Sequence, residues 1–204
     1  MPGPQIHQDA QAEKRLSELG LSPQIMAGAM HAGLSAYLET TEDDPSVLRG
    51  MLLSGKIVRS LREQLTPHGW NKETTRNLEL TVHTGSHVKL MVTRGTAATG
   101  DPSGRPETKR ERGQAVVDEL REQGRDDMKV ALEGLEEFLP LDGPRTESAG
   151  SRWILLYHRD GNVLTGELSS PFAIDLGARI SQWSERIILE PVTAGSASAL
   201  PDAA

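Results

Sequence analysis

Two carboxylates, Asp160 and Glu167, stand where a β-hairpin would carry a catalytic pair. Segments 153–157 (WILLY) and 163–168 (VLTGEL) are apolar and flank the turn residues Asp160-Gly161. Divalent-metal nucleases of the broad restriction type pair an Asp with a Glu on such a hairpin, where the ion they hold supplies the nucleophilic water. That chemistry also uses a lysine two residues beyond the glutamate, and this chain has Ser169 there. With the lysine missing, the competing expectation is a structural ion pair of Glu167 with Arg152 or Arg186. His158, beside the same turn, is the third candidate; the plain alternative is a solvated turn-side imidazole.

The segment Arg94-Gly-Thr-Ala-Ala-Thr-Gly-Asp101 has Gly95 and Gly100 at the spacing of a phosphate-binding loop. Such a loop continues with Lys and then Ser or Thr, which hold the outer phosphates and a magnesium ion. Here Asp101 and Pro102 follow, and a carboxylate repels phosphate, so that chemistry is excluded. What remains is a long surface loop carrying Arg94, Arg105, Lys109, Arg110 and Arg112 against Asp101, Glu107 and Glu111, five positive to three negative. It reads as a mobile binding loop with a basic patch for nucleic acid or another anion, or plainly as a solvated loop.

His83 and His87 flank the turn Thr84-Gly85-Ser86. A metal would need a third ligand, Glu79 or Glu73, and neither spacing is diagnostic, so no metal site is expected. Ser169-Ser170-Pro171 lacks the flanks of a nucleophile elbow. No cofactor is implied.

The elements that must hold these residues follow from periodicity. Residues 1–8 read as a disordered lead. A short helix runs from Asp9 to Leu19. Ser22-Pro23 starts a second, in which Ile25, Met26, Ala29, Met30 and Leu34 recur at helical spacing. The acidic stretch 40–45 ends it. A third helix over 45–65 is expected to bury Val47, Leu48, Met51, Leu52, Val58, Leu61 and Leu65, with a break possible at Gly50 or Gly55. Strands over 78–82 and 88–92 form a first hairpin, and a long helix over 114–139 separates it from the second. Residues 140–151 read as a linker. A short apolar run over 172–176 and a last strand over 187–189 precede a disordered tail, 193–204. In the second hairpin a loop of Asp160-Gly161 pairs Arg159 with Asn162 and Tyr157 with Leu164. Trp153, Leu155, Tyr157, Leu164, Gly166 and Leu168 then share a core face. The other face, with Ile154, Leu156, His158 and Glu167, is expected to be half covered by a helix. Trp70, Trp153 and Trp183 are expected core anchors. The class is α+β: N-terminal helices (9–66) beside a mostly antiparallel sheet (76–192), within one domain over 9–192.

Composition narrows the function classes. The 204 residues contain no cysteine, only 3% aromatics, and 22 Lys+Arg against 29 Asp+Glu, a net charge of −7. Disulfides, thiolate metal sites and cysteine nucleophiles are excluded. Net acidity disfavours a general phosphate-backbone binder. No apolar run approaches a membrane span, and the first residues lack the apolar stretch of a signal peptide, so a cytoplasmic protein is expected. Residues 9–65 hold six Lys/Arg and eight Asp/Glu, which puts a DNA-recognition helix there at an electrostatic disadvantage.

The segments LREQLTPHGW (61–70), TKRERG (108–113), WILLYH (153–158), GELSSP (166–171) and WSERIIL (183–189) resemble a family of uncharacterised bacterial proteins. The resemblance spans the third helix to Leu189 and implies one folded unit; it carries no activity or cofactor. The expected function, taken from the residues, is a non-enzymatic interaction or accessory protein. Its partner is another protein, in a complex acting on nucleic acid, with any nucleic-acid contact confined to the basic loop. The alternative is a metal-dependent nuclease or hydrolase using Asp160, Glu167 and His158.

Overall fold

The helices form where capping and periodicity place them. In the structure, a computed structural model that describes residues 3–75, 78–109, 138–140, 151–175 and 179–195, α1 is Asp9–Glu18, α2 is Pro23–Leu38 and α3 is Ser46–Leu65. Ser22 caps α2, its Oγ accepting from Ile25 N at 3.2 Å, with Pro23 in the first turn. α3 runs unbroken through Gly50 and Gly55. Its buried stripe, however, is Leu53, Ile57, Leu61 and Leu65, whereas Val47 and Met51, expected in the core, are 66% and 64% exposed. The helix is apolar on two faces, and period alone cannot say which face α2 and the sheet will take. Among the described residues no helix is long and apolar enough to cross a membrane.

The fold is α+β, and its sheet is mixed. The strands are β1 (Gln5–His7), β2 (Trp70–Thr75), β3 (Leu78–His83), β4 (Lys89–Arg94), β5 (Phe138–Pro140), β6 (Arg152–Asp160), β7 (Val163–Asp175) and β8 (Ile180–Thr193). Their order is β1-β8-β7-β6-β4-β3-β2, with β5 beside the far end of β7. β1/β8 and β4/β6 are parallel; every other pairing is antiparallel. Several boundaries change. Gln5–His7, read as disordered, is a strand on β8. After the helices, the strands begin at Trp70 rather than after residue 75. Phe138 and Leu139, read as the end of a helix, and Pro140, read as linker, are in β5. β8 is far longer than 187–189. Residues 114–137 of the expected helix, 141–150 of the linker and 196–204 of the tail lie outside the described residues.

In the second hairpin Asp160 pairs with Val163, Tyr157 with Gly166 and Leu155 with Leu168. The two-residue loop is therefore Gly161-Asn162, one residue later than expected. Gly161 has φ +54°, and Asn162 is not among the residues with positive φ, the pattern of a type II′ turn. The correction moves each partner by two residues, an even number, so the division of side chains between faces is the expected one. A Cβ at Gly161 would meet nothing within 4 Å, which leaves backbone strain as the sole obstacle to substitution. Gly161→Val should cost about 1–2 kcal/mol, read as a lowered urea midpoint with an unchanged slope.

One face of the sheet carries Trp153, Leu155, Tyr157, Leu164, Leu168 and Ile187 against α1, α2 and α3. Gly166 admits Met30 of α2 against the strand: a Cβ there would lie 2.7 Å from Met30 Sδ. The other face carries a smaller cluster of Leu80, Met91, Ile154, Leu156, Ile180 and Trp183. Its cover among the described residues is the loop after β4. All three tryptophans are buried.

β1 and α1 are fastened to β8 by Glu185. Arg15 grips its carboxylate through Nε at 2.5 Å and Nη2 at 3.0 Å, and His7 Nε2 lies 2.8 Å from Oε1. Burial works to raise the Glu185 pKa, but the hydrogen bonds and charge of Arg15, with His7, outweigh it and hold the carboxyl below its ordinary value. A carboxyl depressed in the folded state stabilises the fold fully above its unfolded pKa of about 4.3 and loses that contribution as pH falls through the lower, folded value. Glu185→Gln should therefore lower stability near neutrality and flatten its fall below pH ~4, measured by denaturation across pH 2–7.

Candidate functional site

The glycine-rich loop is closed at its neck. Gly95 N continues the β4/β6 ladder by donating to Tyr157 O at 2.8 Å, and Gly95 bridges Thr108. Thr96 N donates to Glu107 O at 3.0 Å and Lys109 N to Arg94 O at 2.9 Å. Thr108 N donates to Ile180 O, and Ile180 N to Thr108 Oγ1. Trp183 Nε1 donates to Pro106 O at 2.8 Å. The segment is thus an Ω-loop with joined ends, lying on the sheet face opposite the helices.

Beneath it lies Glu167, fully buried. Its Oε1 accepts from Arg186 Nε at 3.0 Å and Ser169 Oγ at 2.6 Å; its Oε2 accepts from Arg186 Nη2 at 2.6 Å and Gly100 N at 2.9 Å. Those bonds occupy the lone-pair sites a carboxylate offers. Arg186, 1% exposed, gives two further donors to the loop, Nη1 to Gly104 O and Nη2 to Asp101 O, both at 3.0 Å. Gly100 does bind an anion, and it is the protein's own; Gly95 binds the Tyr157 carbonyl instead. Arg186 is the partner that alternation along β8 places beside Glu167; Arg152 is the first residue of β6, four residues along the strand from Leu156, which stands opposite Glu167.

Asp160 is exposed at the hairpin turn. Glu167 stands opposite Leu156, four residues from Asp160 along β6, or about 13 Å. His158 shares Glu167's face, is half-buried, and its Nδ1 has no hydrogen-bond partner among the described residues. The fold therefore does not gather Asp160, His158 and Glu167 around one point. Glu79 binds Arg62 at 2.8 Å, Glu73 lies 3.6 Å from Lys89, and His83 Nδ1 accepts from Ser86 N at 3.0 Å. Among the described residues no group of three or more His, Cys, Asp or Glu could hold a metal.

Of the basic loop residues, Arg94, Arg105 and Lys109 are exposed on this loop; Arg110 and Arg112 lie outside the described residues. Arg94 and Lys109 face each other across the neck, and Arg179 follows on the exposed residue before Ile180. Nothing in sequence spacing joins Arg179 to this group. The exchange between Thr108 and Ile180 brings it there. Compared with known proteins, the chain matches no family model, no curated protein and no solved structure.

Proposed function

We propose that the protein is a non-enzymatic interaction protein that docks on an acidic surface of a partner protein through the basic rim of its 94–109 loop. The observation that carries this reading is the presentation of Arg94, Arg105 and Lys109, solvent-exposed on a loop that Arg186, Trp183 and the neck hydrogen bonds hold in one shape. A preformed loop avoids much of the ordering cost of association, and a local excess of positive charge in an acidic chain steers an acidic partner to that rim. The commitment of Glu167 to Arg186, Gly100 and Ser169 supports binding over hydrolysis, because its carboxylate is engaged internally.

The test is a cross-linked pull-down from the native host with the wild-type chain and with Arg94→Glu/Arg105→Glu/Lys109→Glu. The expected result is a partner retained by the wild type and weakened about tenfold or more by charge reversal, with salt-sensitive binding. Retrieval of no partner, or one indifferent to the reversal, overturns the reading. Metal-dependent cleavage of plasmid or single-stranded DNA by the wild-type chain would favour the hydrolase instead.

A further inference from the structure

The neck of the 94–109 loop sets two cations against each other. Gly95 bridges Thr108 in antiparallel register, so Arg94 and Lys109 form the adjoining rung, joined by Lys109 N donating to Arg94 O at 2.9 Å. Residues directly opposite on such a ladder project to one side with Cβ atoms about 5 Å apart, and like charges placed so repel. Both side chains are exposed. The chain has 29 Asp and Glu, yet among the described residues none forms an ion pair with Arg94 or Lys109. Glu107, on the same side of this short ladder, stands two rungs away, opposite Thr96. The backbone holds the cations in place. Gly95 N is tied to Tyr157 O, and Thr108 is tied to Ile180 through its N–H and its hydroxyl.

We infer that the Arg94–Lys109 rung binds a phosphate monoester, and that the group through which the partner protein engages the basic rim is a phosphorylated side chain. The partner half of this inference rests on the docking reading above; the anion half does not. Charge and shape select the ligand. One carboxylate brings a single negative charge and leaves the second cation unmatched. A phosphate monoester carries close to two negative charges near neutrality and offers three acceptor oxygens. Those oxygens suit the guanidinium fork of Arg94 and the ammonium of Lys109 together. A phosphodiester carries one charge, so nucleic acid matches this rung no better than a carboxylate does. Because the rung is already formed, the phosphoryl group gains both contacts without ordering the loop.

Thermal unfolding of the full chain at constant ionic strength tests the anion. At about pH 7.5, roughly 20 mM inorganic phosphate or glycerol 2-phosphate should raise the wild-type midpoint by about 2–4 °C for a millimolar site. Acetate and dimethyl phosphate at the same concentration should leave it unmoved. The gain from glycerol 2-phosphate should fade as pH falls through about 6, where a monoester takes up its second proton. Arg94→Gln and Lys109→Gln, both at exposed sites, should each abolish the gain. Neither should lower the midpoint in chloride, since each removes a repulsion. A midpoint no higher in phosphate than in acetate, or a gain that survives both substitutions, overturns the anion site. For the partner, phosphatase treatment of the host lysate should weaken capture by the wild-type chain about tenfold or more. A partner lost on charge reversal but indifferent to phosphatase overturns the phosphorylated side chain and leaves the docking reading standing. A chain that phosphate stabilises but that captures nothing overturns the docking and leaves the anion site.

Discussion

Replacing Arg186 with Leu is expected to destabilise the protein by about 3–5 kcal/mol, the range for removing one partner of a buried ion pair. The loss has two sources. Glu167 is left without its cationic partner in a site without solvent, and the carbonyls of Asp101 and Gly104 lose their donors. Chemical denaturation measures the total. Amide exchange at Gly100 and Gly104 should rise earlier than exchange in β6, because the pair is the clamp on the loop. The double variant Glu167→Leu/Arg186→Leu should recover part of the loss, since no unpaired charge is left behind. A single variant within about 1 kcal/mol of wild type would refute the buried clamp. The same reasoning disqualifies Glu167→Ala as a test of catalysis: it would weaken the fold and loosen the loop together.

Gly33→Leu should cost about 3 kcal/mol, the upper part of the usual range for overpacking. A Cβ at Gly33 of α2 would lie 2.5 Å from Ile57 Cγ1 and 2.8 Å from Leu53 O on α3. Ile57 can change rotamer, but a backbone carbonyl inside a helix cannot retreat without moving the helix. Gly50→Ala on α3 is the control. A Cβ there meets nothing within 4 Å, so the substitution should stabilise by about 0.5–1 kcal/mol through backbone entropy and helix propensity. Thermal melts of the two variants should move in opposite directions.

Gly33 also explains why α3 buries a different stripe from the one its periodicity predicts. The run from Val47 to Leu65 has helical spacing weakened by two glycines, it offers more than one apolar line, and the close approach at Gly33 draws Leu53 and Ile57 inward. That contact joins residues on different elements and has no signature in either helix alone. β2 has no apolar signature because its residues after Trp70 are polar and charged; it is a strand by pairing with β3, not by apolar alternation. β1 is three residues held to β8, with Glu185, Arg15 and His7 fastening that edge. Of the candidate site, Glu167 and the basic residues were visible by type. Their separation, with Glu167 inside and the arginines outside, was not.

What the chain determined by itself was local. Ser22-Pro23 started α2, apolar residues recurring at helical spacing over 46–65 made α3 through two glycines, and residues 153–168 made a hairpin whose inward face survived a slipped turn because side chains alternate with period two. The tertiary structure decided what those elements face. The parallel pairing of β4 with β6, the seating of the glycine loop on Glu167 and Arg186, and the outward turn of Val47 and Met51 depend on contacts between residues far apart in the chain. Periodicity reports which side of an element is apolar; only packing decides what covers it, because burial is a property of two surfaces and the sequence of one describes half of the contact.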